Sequence, residues 1–426
     1  MAKQVLVIGG GFAGFNVAKQ LGGVSEAEVT LVDRQNHHLF QPLLYQVATA
    51  GLSPADIAAP IRKMVARFQN VRVFQGEAKS INLDARKVAF DFGELGYDYL
   101  VVACGATHCY FGHREWEKYA PGLKTISEAT EIRRRILSAF EQAERIEHPE
   151  EQKRQLTFVI IGGGPTGVEL AGAIGEMSRF TLAADFRRIN PRLTRVILIE
   201  AGSRILPMFS EKQAGRATRD LENLGVQIWN STRVTNVDAD GVEMGEERIR
   251  AATVLWAAGT EASRLKWSPQ VDLDKQGRVL VEPDLSIQHY SEVFIAGDQA
   301  NFSHQTGNSL PGTAPVAFQQ GHAIGCNIRH ELRGKRRKKF HFVNKGQMAT
   351  IGRSRAIVEI GRFAFAGGFA WLTWLVVHIF YLTGFKNRLL VVLKWGWSYR
   401  TFDRGARLIV EKKPDHTAIS PSTHTE

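Results

Sequence analysis

Cysteine is scarce: Cys104, Cys109 and Cys326 are the only three in 426 residues. That excludes a disulfide framework and points to a reducing compartment. The thirteen histidines show no spacing with cysteine or with one another typical of zinc or iron ligation. No metal centre is therefore expected, and heme and iron–sulfur chemistry lacks support. The first apolar run begins at Val5, which leaves no room for a secretory leader. Basic residues outnumber acidic ones for a net charge of +11, and six of the seven residues at 333–339 are Lys or Arg. That run reads first as a solvated loop and second as a membrane-surface contact; no aromatic stacking motif or reading helix accompanies it, so nucleic acid is not an expected partner. Charge is absent from one long stretch, residues 363–385, where only His378 is ionisable.

Glycine is what the chain does have, and it is placed. Gly9-x-Gly11-x-x-Gly14 and Gly162-x-Gly164-x-x-Gly167 each follow an apolar strand-like run, residues 5–8 and 158–161. Phe12 and Ala13 complete the first motif, Pro165 and Thr166 the second. The first glycine makes a tight turn, the second lets backbone approach a pyrophosphate, and the third lets helix pack on strand. One such motif is a weak signal. Two in matching strand–turn–helix contexts imply two bound dinucleotides. Each motif also has an acidic partner for a ribose hydroxyl: Asp33 ends the run 29–32, and Glu200 ends the run 195–199 after a longer gap. Glu200 would repel a 2′-phosphate, which favours NADH over NADPH, with nearby Arg204 acting against that preference.

Further landmarks distinguish the sites. Residues 99–105 form a strand and glycine turn ending at Gly105, residues 254–260 form a second with Gly259, and residues 293–298 run Val-Phe-Ile-Ala-Gly-Asp to Asp298. This arrangement resembles the two-dinucleotide flavoproteins, which implies FAD at the N-terminal site and NADH at the inserted one. The implied fold is α/β, two Rossmann-like domains plus a C-terminal membrane-anchoring helical segment. Its expected divisions are a first FAD part (1–112), a connecting helix (113–154, helical over 128–147), the NADH domain (155–283), a second FAD part (284–345), a membrane-associated region (346–411) and a disordered tail (412–426).

In that C-terminal region the charge-free stretch is broken by Gly367-Gly368 and followed by residues 386–408. There apolar residues interleave with Lys386, Arg388, Lys394, Arg400, Arg404 and Arg407. That is the composition of a cationic amphipathic helix at a lipid surface, with Trp371, Trp374, Tyr381, Trp395, Trp397 and Tyr399 suited to the headgroup boundary. A monotopic hairpin or helix pair is the first reading; one transmembrane helix and a buried core or dimer helix are the alternatives.

The chain as a whole resembles the type II, non-proton-pumping NADH:quinone dehydrogenases, over residues 3–409. The resemblance is carried by the first fingerprint, by His37-His38-Leu39-Phe40-Gln41-Pro42-Leu43-Leu44-Tyr45-Gln46, by residues 162–172, by 314–321 and by 348–353. It implies FAD and NADH as cofactors, with Gln41 among the FAD-binding residues. It also implies a membrane quinone (ubiquinone or menaquinone) as acceptor; the C-terminal composition adds lipid as a partner and leaves a homodimer through that region open, and scarce cysteine with the early first strand makes the cytoplasmic face of the cell membrane the expected location. It further implies that Glu169 lies close to the flavin ring and handles nicotinamide or quinone. The alternative for Glu169 is a first-turn acid favoured by the helix dipole. Members commonly carry Ala-Gln-x-Ala-x-Gln-Gln on the quinone side; here Pro315 replaces the first glutamine, leaving Gln319 and Gln320. One of these is expected at the flavin's pyrimidine edge, with Gln319 the quinone contact and Gln320 alternatively a packing residue.

Competing classes fare less well. A flavin disulfide reductase needs a redox cysteine pair near residues 37–46, where none occurs, and Cys104-x4-Cys109 reads as buried small residues. A sulfide:quinone oxidoreductase would lack the complete NADH site. A non-enzymatic NADH sensor remains the third class.

Overall fold

The computed structural model describes residues 1–382, 385–401 and 404–410; the tail 412–426 lies outside the described residues. Its first lobe is built on a six-stranded sheet, in the order Ser286–Ile287, Tyr290–Ile295, Tyr99–Val102, Lys3–Ile8, Ala27–Asp33, Val71–Gln75. All neighbours but the first pair are parallel. Val5, Leu6, Val7 and Ile8 are all buried, as central strands covered on both faces must be. Helix Phe12–Leu21 follows the first strand and lies against helix Ala314–Leu332. The approach is close: a Cβ at Gly321 would stand 2.1 Å from the Ala13 carbonyl oxygen.

The second lobe repeats the plan with four parallel strands, ordered Val226–Trp229, Arg195–Ile199, Thr157–Ile161, Thr253–Trp256. Helix Pro165–Glu176 runs on into a π-helical turn, Met177–Thr181, which accounts for part of the long gap before Glu200. The connecting helix spans Ile126–Arg145 and buries Ile132, Ile136, Leu137 and Phe140, the residues its periodicity singles out. The return to the first lobe comes earlier than residue 283. Lys266–Ser268 already pairs with Ala78–Asn82, and Val279–Leu280 pairs with Ala300–Asn301. Leu265, Trp267 and Val271 pack on the first lobe's core. Strands of two and three residues carry too little periodicity to announce this.

The C-terminal region opens with an antiparallel sheet, Gln347–Gly352, Arg355–Ile360 and Phe363–Ala366. Its third strand takes the first four residues of the charge-free stretch, so that stretch is a strand followed by a helix, Gly368–Tyr381. Among the described residues no helix is long and apolar enough to cross a membrane. A second helix, Phe385–Thr401, follows. The sheet is pressed onto the second fingerprint's helix: a Cβ at Gly172 would lie 1.7 Å from the Ile351 carbonyl oxygen.

Candidate functional site: two nucleotide cradles and a carboxylate cleft

The two fingerprints are built alike. Gly9 and Gly162 have φ of +102° and +109°, a region that favours glycine. A Cβ at Gly14 would come within 1.8 Å of the Gly9 carbonyl oxygen, and one at Gly167 within 1.9 Å of that of Gly162. Gly11 and Gly164 face open space and form helix N-caps without a side-chain cap. Their helices' first N–H groups are therefore presented outward, as a pyrophosphate requires, so the residues fit the groups they are expected to hold. Phe12, Ala13, Pro165 and Thr166 stand in the first turns. Asp33 accepts from Gly10 N (2.6 Å) and Gln35 N (2.6 Å); Glu200 accepts from Gly163 N (2.6 Å) and Gly202 N (2.6 Å). Each acid thus braces the glycine loop beside it. The Arg204 guanidinium bonds to the carbonyls of Leu206, Pro207 and Phe209, which commits three of its five N–H donors to its own loop.

Gly105, Gly259 and Gly297 all have positive φ, and strands Ala106–His108 and Thr260–Ala262 pair across the two lobes. Asp298 begins a short turn at the first lobe's edge and faces Lys124 Nζ at 3.5 Å. Gln41 donates to the Lys124 carbonyl (3.2 Å). Lys124 is a residue that carries no sequence motif. The two glutamines separate. Gln320 is buried and accepts from Gly297 N (2.7 Å), while its Nε2 has no partner among the described residues. Gln319 spends both ends of its amide on the Val343 backbone, at 3.0 Å each. The glutamine joined to the Gly297-Asp298 turn is therefore Gln320, the one the sequence also allowed as a mere packing residue.

Glu169 is the fifth residue of its helix, and the first turn holds no acid. It is therefore not the first-turn acid the sequence offered as an alternative, and the dipole account does not apply to it. It lines a partly open cleft of about 70 Å³, with Tyr45, Gln46, Glu176, Thr350, Trp371, Trp374, Trp395 and Arg404 among its walls. Burial pushes the Glu169 carboxyl up to about 8, opposed only by a hydrogen bond from the Thr350 backbone. Glu176, two turns further, is differently placed: Arg353 N reaches it at 2.8 Å and Arg404 Nη2 at 3.2 Å, while Arg404 Nη1 donates to the Thr49 carbonyl (2.8 Å). Trp395 Nε1 donates to Gln46 Oε1 (2.8 Å).

These contacts correct the reading of the C-terminal cations and aromatics. Lys394 bonds Asp56 (2.6 and 2.7 Å), Arg388 the Leu382 carbonyl (2.7 Å), Arg404 the partners above, and Arg407 pairs with Asp185. The side chains of Lys386, Tyr399 and Arg400 lie outside the described residues. Trp374 and Trp395 are buried, so they are core and not headgroup residues; Trp397 and Tyr381 are exposed. Outward the two helices offer carbon: Phe369, Leu372, Val376 and Phe380 on one, Leu389, Val392, Leu393 and Trp397 on the other, all exposed.

Two parallel-sheet lobes, each with a glycine cradle and a bracing acid, define a pyridine-nucleotide flavoprotein. The family profile described as pyridine nucleotide-disulphide oxidoreductase matches residues 3–321. The profile of the NDH2 C-terminal domain matches residues 344–400. The type II NADH:quinone oxidoreductase NdhA of Mycobacterium tuberculosis is 42% identical, covering 96% of this chain and 90% of the relative; Ndh of the same organism is 41% identical, covering 96% and 91%. The chain belongs to the type II NADH:quinone oxidoreductases. Its fold matches NDH2 of Plasmodium falciparum solved with NADH (TM-score 0.87, 20% identity, 96% of this chain and 100% of that one). The sulfide:quinone oxidoreductase of Aquifex aeolicus shares the fold at a TM-score of 0.71, with 17% identity over 95% and 92% of the two chains.

Proposed function

We propose that this flavoenzyme holds FAD at the first fingerprint and NADH at the second, and reduces a membrane quinone that reaches the Glu169 cleft from the apolar face of the two C-terminal helices. The observation that carries this reading is the cleft itself: a buried carboxyl whose burial pushes its titration up stands among tryptophans whose helices turn apolar faces outward. Held by the first fingerprint with Asp33 and Asp298, FAD would supply the redox chemistry that links hydride donation by NADH to two-electron reduction of a quinone. The overall reaction consumes NADH, quinone and one proton and yields NAD+ and the quinol. Glu169 is suited to hold that proton near a quinone oxygen, since its carboxyl loses it only near pH 8. Asp33 and Glu200 keep the glycine loops in shape and present oxygens to the riboses. Gln320 fixes the turn that presents Asp298.

The disulfide-exchange alternative is disfavoured by Cys104, whose thiol burial pushes up to about 12. The apolar outer face supports lipid as its partner and a monotopic seat, with a second copy of the chain as the competing occupant; the cytoplasmic side rests on the scarcity of cysteine. Titration of the purified holoprotein tests the assignment. NADH should bleach the flavin absorption and a short-chain quinone restore it, with NADPH far less effective because Glu200 repels its 2′-phosphate. A flavin band untouched by NADH, or bleached equally by NADPH, overturns the corresponding part.

A further inference from the structure

The turn at residues 110–113 is built against its residue type. His113 N donates to the Tyr110 carbonyl (3.0 Å), and the two central residues, Phe111 and Gly112, have φ of 51° and 100°. Positive φ at both central positions is the type I′ arrangement, which Asn, Asp and Gly fill. A bulky residue there is a steric outlier. The neighbours hold it in place. Tyr110 is buried, its ring 4.9 Å from that of Trp256 and its hydroxyl donating to the Ala120 carbonyl (2.9 Å), and Trp256 Nε1 donates to the Cys109 carbonyl (3.0 Å). The ring leans on Trp256, centroids 6.2 Å apart, yet Phe111 remains 66% exposed, so burial offsets little of the strain. Strain kept at an exposed aromatic points to a contact made with something else.

The position of the ring says what that is. A Cβ at Gly259 would lie 3.1 Å from Phe111 Cζ, so the ring covers the turn that ends strand Thr253–Trp256. That turn abuts the second fingerprint: a Cβ at Gly162 would meet the Ala257 carbonyl carbon at 2.6 Å. In the sheet, Thr157–Ile161 lies between strand Arg195–Ile199, which leads into Glu200, and strand Thr253–Trp256, which leads into the Gly259 turn. Ligands of such sheets lie across the carboxyl ends of the strands. A dinucleotide with its adenosine ribose at Glu200 and its pyrophosphate at Gly164 must carry its other half past Gly259.

We propose that Phe111 is a positioning residue for the nicotinamide half of the nucleotide, offering its ring face to the nicotinamide riboside as it crosses the Gly259 turn. This rests on NADH occupying the second fingerprint, and the test separates the two claims. Binding of NAD+ and of ADP-ribose, which lacks the nicotinamide, is measured by calorimetry on the FAD-loaded parent, Phe111→Asn and Phe111→Tyr. Asparagine accepts the turn's backbone, so ADP-ribose should bind all three equally. NAD+ should bind Phe111→Asn about two- to tenfold more weakly and Phe111→Tyr like the parent. NAD+ binding that is unchanged in Phe111→Asn, or that falls in step with ADP-ribose, overturns the role of Phe111. Failure of the parent to bind ADP-ribose overturns the nucleotide's placement and the inference with it.

Discussion

Glu169 and Glu176 stand seven residues apart along one helix and line one cleft, yet only Glu176 has a cationic side chain beside it. Glu169 has none among the described residues, so burial alone decides its titration and raises it from 4.5 to about 8. Because the native carboxyl binds its proton more tightly than the unfolded one, its contribution to stability is full below about pH 4.5 and is lost as pH rises through about 8. Glu169→Gln removes that dependence. Thermal melts of parent and variant should diverge in favour of the glutamine between about pH 5 and 8, then run parallel at higher pH. Quinone reduction by the parent should fall with an inflection near pH 8, and the variant should show a lower, flat profile over that range. Melts that stay parallel throughout would remove the raised titration. Family resemblance pointed to Glu169, but sequence could not separate its environment from that of a first-turn acid. Arg404, Thr350 and Trp374 come from distant parts of the chain, and nothing in their local patterns says that they meet around Glu169.

At the scale of elements, what was legible was what is local. A fingerprint glycine is required by atoms a few residues away, as Gly14 is by the Gly9 carbonyl, so its spacing survives in one sequence. Strand Phe363–Ala366 was not legible, because hydropathy runs unbroken from it into helix Gly368–Tyr381 and only pairing with Arg355–Ile360 separates them. The cations of helix Phe385–Thr401 misled for a related reason: composition records that Lys394 is charged, not that it turns inward to Asp56. That pair ties the helix to the first lobe, and the Asp56 side chain is only 6% exposed. Lys394→Ala leaves a nearly buried carboxylate without its cation, a loss of about 1–3 kcal/mol. The variant should melt lower in detergent, and protease should cut within residues 385–401 sooner than in the parent. Adding Asp56→Asn should restore part of the loss, since the amide oxygen can still accept from Ser53 N, as Asp56 does now at 2.7 Å. A Lys394→Ala protein as stable and as resistant as the parent would show that the helix is held by its apolar contacts alone.

For the whole molecule, the proposed seat on the membrane rests on which way its charges and carbons face. The described C-terminal cations are engaged with the protein, while Phe369, Leu372, Val376 and Phe380 form one exposed stripe beside Leu389, Val392, Leu393 and Trp397. Attachment should then depend on buried apolar area and little on surface charge, which salt screens. High salt should leave the protein on vesicles and detergent should release it. Replacing two stripe residues, Leu372→Asp with Phe380→Asp, removes about 1.5–3 kcal/mol of apolar burial per side chain. Vesicle affinity should fall by at least about a hundredfold. Both side chains lie outside the walls of the Glu169 cleft, so NADH oxidation with a water-soluble quinone should persist while turnover of a long-chain quinone held in the bilayer drops. Retention of the double variant on vesicles, or a parent that ignores vesicles and sediments as a dimer, would assign the stripe to another surface, in the second case to a copy of the chain itself.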